Sequence, residues 1–348
     1  MIVSPLLFMR RAATKEAPAM KMFFSIMAVL FLAGCGNLTP DQSPLVSLSA
    51  SPERGNPPLD VTFSVATYDP DGTVVKMEID FDGDGVYDLD ITGVAAVPYT
   101  YDLPDIYVVT VRATDDDGLT TTATIEVIVA NSGDEVKTLP FPSGVTEIRD
   151  ITFDAATGDF WPLETQGSTP SIFRVSRSTG TVREVILLTD PIFSVDTLNE
   201  IALVLGNFQL TTGALASDLY TANPSGAFLG GVQCPSTSTG FCRGLAWDGT
   251  YLWSGASDST DMAAFDFTGT VQRVVPAPAL VEDVDYDSSR GHLLVTTSAS
   301  QNLYRIDPLT GGIAETIPVG TLNKGTWDGE LFWFVDNVSR EFKGVYIN

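Results

Sequence analysis

Four aspartates within nine residues, Asp80, Asp82, Asp84 and Asp88, could hold a hard cation. In the segment DFDGDGVYD they fall at the first, third, fifth and ninth positions of a loop whose sixth residue is Gly85. Oxygen ligands around a sharp glycine turn are what calcium requires. The twelfth position, where a bidentate carboxylate would close the shell, is Ile91, and Asp90 beside it points differently. An incomplete shell of this kind predicts weak affinity. The same residues fit an Asp/Gly-rich hairpin turn whose carboxylates cap backbone amides, and both readings stay open. Asp69-Pro-Asp71 and Asp115-Asp116-Asp117 read as plain turns.

Other chemistry is thinly supplied. His292 is the only histidine and sits in an apolar strand, where a structural role is the simpler reading. With one histidine and few cysteines, a zinc site is not expected. There is no phosphate-binding loop and no dinucleotide fingerprint. Paired carboxylates of the glycosidase kind stay open among 44 Asp and Glu. No residue set reads as catalytic.

The third feature with chemical consequence is Cys35. Met22 to Gly34 reads MFFSIMAVLFLAG, an uncharged apolar run flanked by Lys21 and, further upstream, Lys15, Arg11 and Arg10. A bilayer-spanning helix needs roughly 20 residues, so this run is too short to span, and it fits the apolar core of a secretory signal. It ends Leu32-Ala33-Gly34-Cys35, which resembles the lipobox of bacterial lipoproteins. The resemblance implies a diacylglyceryl group on Cys35, cleavage before it, and an acylated tether over residues 35–43. An ordinary cleaved signal is the alternative. Residues 1–34 are then the signal peptide, with Met20 or Met22 as the start, since Pro5, Glu16 and Pro18 are awkward before an apolar run. Two or three acyl chains anchor stably where one is marginal. Gly36 lacks the aspartate that retains many enteric lipoproteins in the inner membrane, which leans the expectation to the outer membrane or cell surface.

Removing residues 1–34 leaves 15 Lys and Arg against 43 Asp and Glu. So acidic a surface repels nucleic acid and anionic headgroups, which excludes nucleic acid as a partner. With 44% hydrophobic residues the acidity belongs to a folded surface. Cys234 and Cys242 bracket the loop CPSTSTGFC and, in an oxidising envelope, read as a local disulfide, with two free thiols as the alternative.

The elements that must position these residues are strands. In Tyr107-Val-Val-Thr-Val-Arg-Ala113, Tyr107, Val109, Val111 and Ala113 share one face, and Thr110 and Arg112 the other. The segments PPLDVTFSV (57–65), YDPDG (68–72), IDFDGDG (79–85), YTYDLPDIYVVTVRATDDDG (99–118) and TIEVIVA (124–130) follow in an order that resembles the PKD family of immunoglobulin-like domains. The resemblance covers residues 44–131. It departs at the family's WDFGDG signature, where Ile79 replaces the tryptophan and Asp82 is extra, and at Pro104-Asp105, where Pro-Gly is usual. It implies a β-sandwich that displays or spaces and does not catalyse.

From residue 134 the chain repeats with a period near 40. An apolar strand ending in an aspartate turn recurs as ITFDAATG (151–158), FSVDTLNE (193–200), GLAWDGT (244–250), DVDYDSSRG (283–291) and KGTWDGE (324–330). A second strand follows each, then a third (SIFRVSRSTG, DLYTANPSG, MAAFDFTG, NLYRIDPLTG) and a fourth (TVREVIL, AFLGGVQ, TVQRVVP, IAETIPV). Four strands per repeat is the arithmetic of a β-propeller blade. The last repeat stops one strand short at Asn348, and Glu135–Phe141 is an unassigned strand before the first. Lending that strand to the last blade closes a five-bladed ring over residues 134–348 and hides both edges. The pattern resembles propellers of the NHL and YVTN kind, with a β-sandwich as rival. The fold class expected is all-β: an immunoglobulin-like sandwich followed by a five-bladed propeller.

Trp161, Trp253, Trp327 and Trp333 fall in or beside the propeller strands, most as packing between blades and a minority facing the channel or a rim. Three functions fit this reading. The first is an anchored binding or scaffold module for protein or glycan. The second is an extracellular propeller hydrolase or lyase. The third is a structural envelope component.

Overall fold

The structure, a computed structural model, describes residues 41–193, 198–212, 218–234, 242–256, 259–320 and 324–348. Cys35 and the signal and tether segments, apart from residues 41–43, lie outside these residues. Every described element is a strand. No helix among the described residues is long and apolar enough to cross a membrane.

The first unit is built from β1 (Leu45–Ser51), β2 (Arg54–Gly55), β3 (Leu59–Tyr68), β4 (Val74–Asp80), β5 (Leu89–Asp90), β6 (Ala96–Tyr101), β7 (Asp105–Asp115) and β8 (Thr120–Val129). One sheet runs β1-β3-β6 and the other β2-β8-β7-β4-β5. Alternation dictates the packing: Val61, Phe63 and Val65 of β3 meet Ile79, Val109, Val111, Val127 and Val129 across the sandwich, while the intervening residues face solvent.

Next comes β9 (Glu135–Pro140), then β10 (Asp150–Asp154), β11 (Asp159–Glu164), β12 (Ser171–Ser176) and β13 (Val182–Leu187) as the first four-stranded sheet. The second holds β14 (Leu198–Val204), β15 (Asn207–Thr212), β16 (Asp218–Ala222) and β17 (Phe228–Gln233). The third holds β18 (Cys242–Trp247), β19 (Leu252–Ala256), β20 (Asp261–Phe265) and β21 (Val271–Pro276). The fourth holds β22 (Val281–Asp287), β23 (His292–Thr297), β24 (Asn302–Ile306) and β25 (Ile313–Pro318). The last combines β26 (Gly325–Trp327), β27 (Leu331–Asp336) and β28 (Glu341–Tyr346) with β9, which pairs antiparallel to β28 through Phe342 opposite Leu139 and Lys343 opposite Thr138. The first strands β10, β14, β18, β22 and β26 neighbour one another in a closed ring. This is a five-bladed propeller.

The repeated aspartates hold the blades. Asp248 Oδ1 accepts the Thr250 and Tyr251 amides at 2.7 Å, and its Oδ2 accepts Trp253 Nε1 at 2.7 Å. Asp328 repeats the arrangement with Glu330, Leu331 and Trp333. The second repeat departs from the sequence reading. Its inner strand is Leu198–Val204, and the chain turns at Leu205-Gly206 with φ of 51° and 78°. A two-residue turn with both φ positive needs no aspartate cap, so the repeat's marker is lost and FSVD upstream imitates it. Asp196 lies outside the described residues. Asn207–Thr212 is the second strand of this blade, β15.

The two units touch. Ile128 and Ala130 share a core with Leu139, Phe141 and Phe342, and Arg54 of β2 pairs with Glu330 at 3.2 Å.

Candidate functional site

The inner strands place their residues around the channel in layers. Counted back from the turns, Thr152, Ala202, Ala246, Asp285 and Thr326 share one layer, and Asp150, Glu200, Gly244, Asp283 and Lys324 stand two residues further down each strand. Both layers stitch blade to blade. Asp150 Oδ2 accepts the Ile201 amide at 2.9 Å, Asp283 Oδ2 the Gly325 amide at 2.8 Å, and Glu200 the Gly244 amide. In the upper layer Asp285 Oδ2 accepts Thr326 Oγ1, and Thr326 Oγ1 in turn accepts the Phe153 amide. Gly244 sits at φ +64°, and a Cβ there would lie 2.2 Å from the Val284 nitrogen, so only glycine admits this approach of β18 to β22.

The upper layer lines a cavity of about 360 Å³ at the end where inner strands turn into second strands. Its wall includes Asp154, Trp247, Asp285, Tyr286, Trp327 and Asp328. Trp327 Nε1 is buried with no hydrogen-bond partner. Trp247 is half-buried and packs on Phe267 at 5.4 Å between ring centroids. Burial pushes Asp285 up to about 6 against the opposing Trp327 and Tyr286 amides.

The lower layer is a cluster of three carboxylates and an ammonium. Asp150, Glu200 and Asp283 are 2%, 0% and 3% exposed. Lys324 Nζ pairs with Glu200, and its side chain keeps 19% of its surface. Burial pushes Asp283 up to about 8, with the Glu200 charge adding and Lys324 opposing. Burial, then the charges of Asp283 and Glu200, hold Asp150 well above the carboxylate range, and burial raises Glu200 against the pull of Lys324. Burial pulls Lys324 down, but the three carboxylates outweigh it and hold the ammonium above its usual value. Sequence reading missed this cluster. Its signal was a charge four residues before each turn in DITFD, EIALV, DVDYD and KGTWD, against glycine in GLAWD.

Of the residues singled out in the sequence, Asp80, Asp82 and Asp88 each bring a carboxylate oxygen within 4.8 Å of the others. Asp84 is not in this group, and its Oδ1 accepts the Val86 amide at 2.7 Å. Asp80 also caps the Gly83 and Gly85 amides at 2.7 and 3.0 Å, and Asp88 the Phe81 amide at 2.7 Å. Cys234 and Cys242 are disulfide-bonded with Cα atoms 6.2 Å apart. His292 Nδ1 lies 2.8 Å from the Arg290 carbonyl beside a turn. Trp253 and Trp333 are buried on their turn aspartates, Trp161 packs on Phe208, and Trp327 faces the cavity.

Residues 45–129 match the family model described as PKD domain, and this unit is the immunoglobulin-like sandwich. No curated protein matches the chain. Among solved structures, the chain is similar to glutaminyl cyclase of Myxococcus xanthus at 13% identity and a TM-score of 0.47, over 61% of this chain and 94% of that one. An auxiliary nutrient binding protein from Bacteroides ovatus aligns at 12% identity and a TM-score of 0.36, over 85% and 82%. The PKD1 domain of Vibrio anguillarum Epp aligns at 27% identity and a TM-score of 0.21, over 26% and 96%. The propeller rests on the strand topology above.

Proposed function

We propose that this chain is a lipid-anchored envelope protein that binds a neutral or amino-bearing glycan in the channel mouth of its propeller. Cys35 carries the anchor, residues 35–43 the tether, and the sandwich holds the propeller away from the membrane. The observation that carries the reading is the cavity wall. Trp247 and Tyr286, both half-buried, offer ring faces for the apolar C–H side of a sugar, and Asp154 and Asp285 offer acceptors for its hydroxyls. A volume of about 360 Å³ suits one or two sugar rings. Three aspartates in the wall, on so acidic a chain, disfavour anionic polysaccharide.

The test is a glycan array probed with the chain, followed by titration of the best hit. Saturable binding weakened at least tenfold by Trp247→Ala, with the fold intact by circular dichroism, supports the reading. Binding indifferent to Trp247→Ala removes the site from the cavity. Release of product from the bound glycan would favour a hydrolase or lyase, and stoichiometric capture of one envelope protein without glycan binding would favour assembly.

A further inference from the structure

The acid-lysine cluster is not used by the glycan reading and lies deeper in the channel than its cavity. We infer that Asp150, Glu200 and Asp283 bind one divalent, oxygen-liganded cation, calcium by its ligand chemistry, inside the propeller ring. Charge is the first argument. Once a cation displaces the protons that burial keeps on them, three ionised carboxylates against the single ammonium of Lys324 carry two negative charges in a site with almost no exposed carboxylate surface. An uncompensated buried charge is strongly destabilising, and a divalent ion balances this one where a monovalent ion leaves half of it.

Geometry is the second. One oxygen from each carboxylate lies within 4.8 Å of the other two. Oxygens bound to one calcium at about 2.3–2.6 Å stand at most about 5 Å apart, whereas magnesium holds its ligands within about 4.2 Å of one another. One oxygen of the cluster has no protein donor. Asp150 Oδ2 accepts the Ile201 amide, but its Oδ1 is buried and has no hydrogen-bond partner. A buried carboxylate oxygen left unpaired calls for an ion or a proton. Lys324, paired to Glu200, is the least buried member of the cluster. The inward acids also contact the backbones of the next blades, so an ion here ties three blades together at the ring's centre.

The experiment is calcium titration by calorimetry on the full chain in detergent micelles, after chelator treatment, with Asp283→Asn, Asp150→Asn and Asp82→Asn in parallel. One calcium per chain is expected, with Kd raised at least tenfold by Asp283→Asn or Asp150→Asn and unchanged by Asp82→Asn. Binding that vanishes with Asp82→Asn and survives both channel substitutions would assign the ion to the sandwich loop and overturn the inference. No binding up to about 10 mM would overturn it too, leaving Lys324 and protons to neutralise the cluster. Should the channel variants fail to fold, crystals of the unmodified chain grown with terbium decide the matter. An anomalous peak among the three carboxylates supports the site, and its absence there overturns it.

Discussion

Trp333 shows what one residue contributes to a blade. Its indole donates to Asp328 Oδ2 at 2.6 Å while its rings pack on Phe160 at 5.1 Å between centroids. Asp328 Oδ2 also accepts Arg177 Nη1 at 2.8 Å. Trp333→Phe removes a buried bond to a carboxylate and part of the ring, and is expected to cost about 2–4 kcal/mol in urea unfolding with the slope unchanged. A loss below about 0.5 kcal/mol would mean that Arg177 alone satisfies the aspartate. The turn role of these aspartates was legible from Asp-Gly spacing. That they also anchor a tryptophan five residues on was not, because the indole reaches its partner only when the hairpin closes.

At the scale of elements, β9 and the disulfide make connections that the meandering blades cannot make alone. Leu139 of β9 is buried opposite Phe342 of β28 and joins the core shared with the sandwich. Leu139→Ala is expected to lower stability by about 2–5 kcal/mol. Because β28 then loses its outer partner, hydrogen exchange should lose protection in the last blade before the others. Uniform loss around the ring would show that closure is not the weak point. Cys234 and Cys242, eight apart, join the end of β17 to the start of β18, the step from the second blade to the third. Replacing both with serine is expected to cost about 2–3 kcal/mol by freeing the unfolded chain, measured as a lower urea midpoint. An unchanged midpoint would place the stapled loop outside the cooperative unit.

For the whole molecule, buried acids set how stability varies with pH. Burial lifts Asp283 to about 8 and Asp285 to about 6, so between pH 4 and these values the folded chain holds protons that the unfolded chain has released. With fewer protons on the unfolded state, the unfolding free energy falls as pH rises, by up to about 1.4 kcal/mol per pH unit for each retained proton. Unfolding in chelator should therefore show stability declining from about pH 4 to about pH 8, and Asp283→Asn should flatten the decline above pH 6. A curve that rises through this window would refute the burial of these acids.

The sequence by itself determined what local periodicity can record. Inward and outward alternation in Tyr107–Ala113 specified a sandwich strand, and four apolar segments per forty residues specified the blades, because every such strand must bury one face. Asp154, Asp248, Asp287 and Asp328 were readable as turns since their partners lie within five residues. Only the tertiary structure decided that Asp150, Glu200, Asp283 and Lys324, far apart in the chain, converge in one channel, and that Trp327 faces a cavity while Trp253 and Trp333 do not. A charge in a strand means little until its burial is known, and closing the ring is what buries these four.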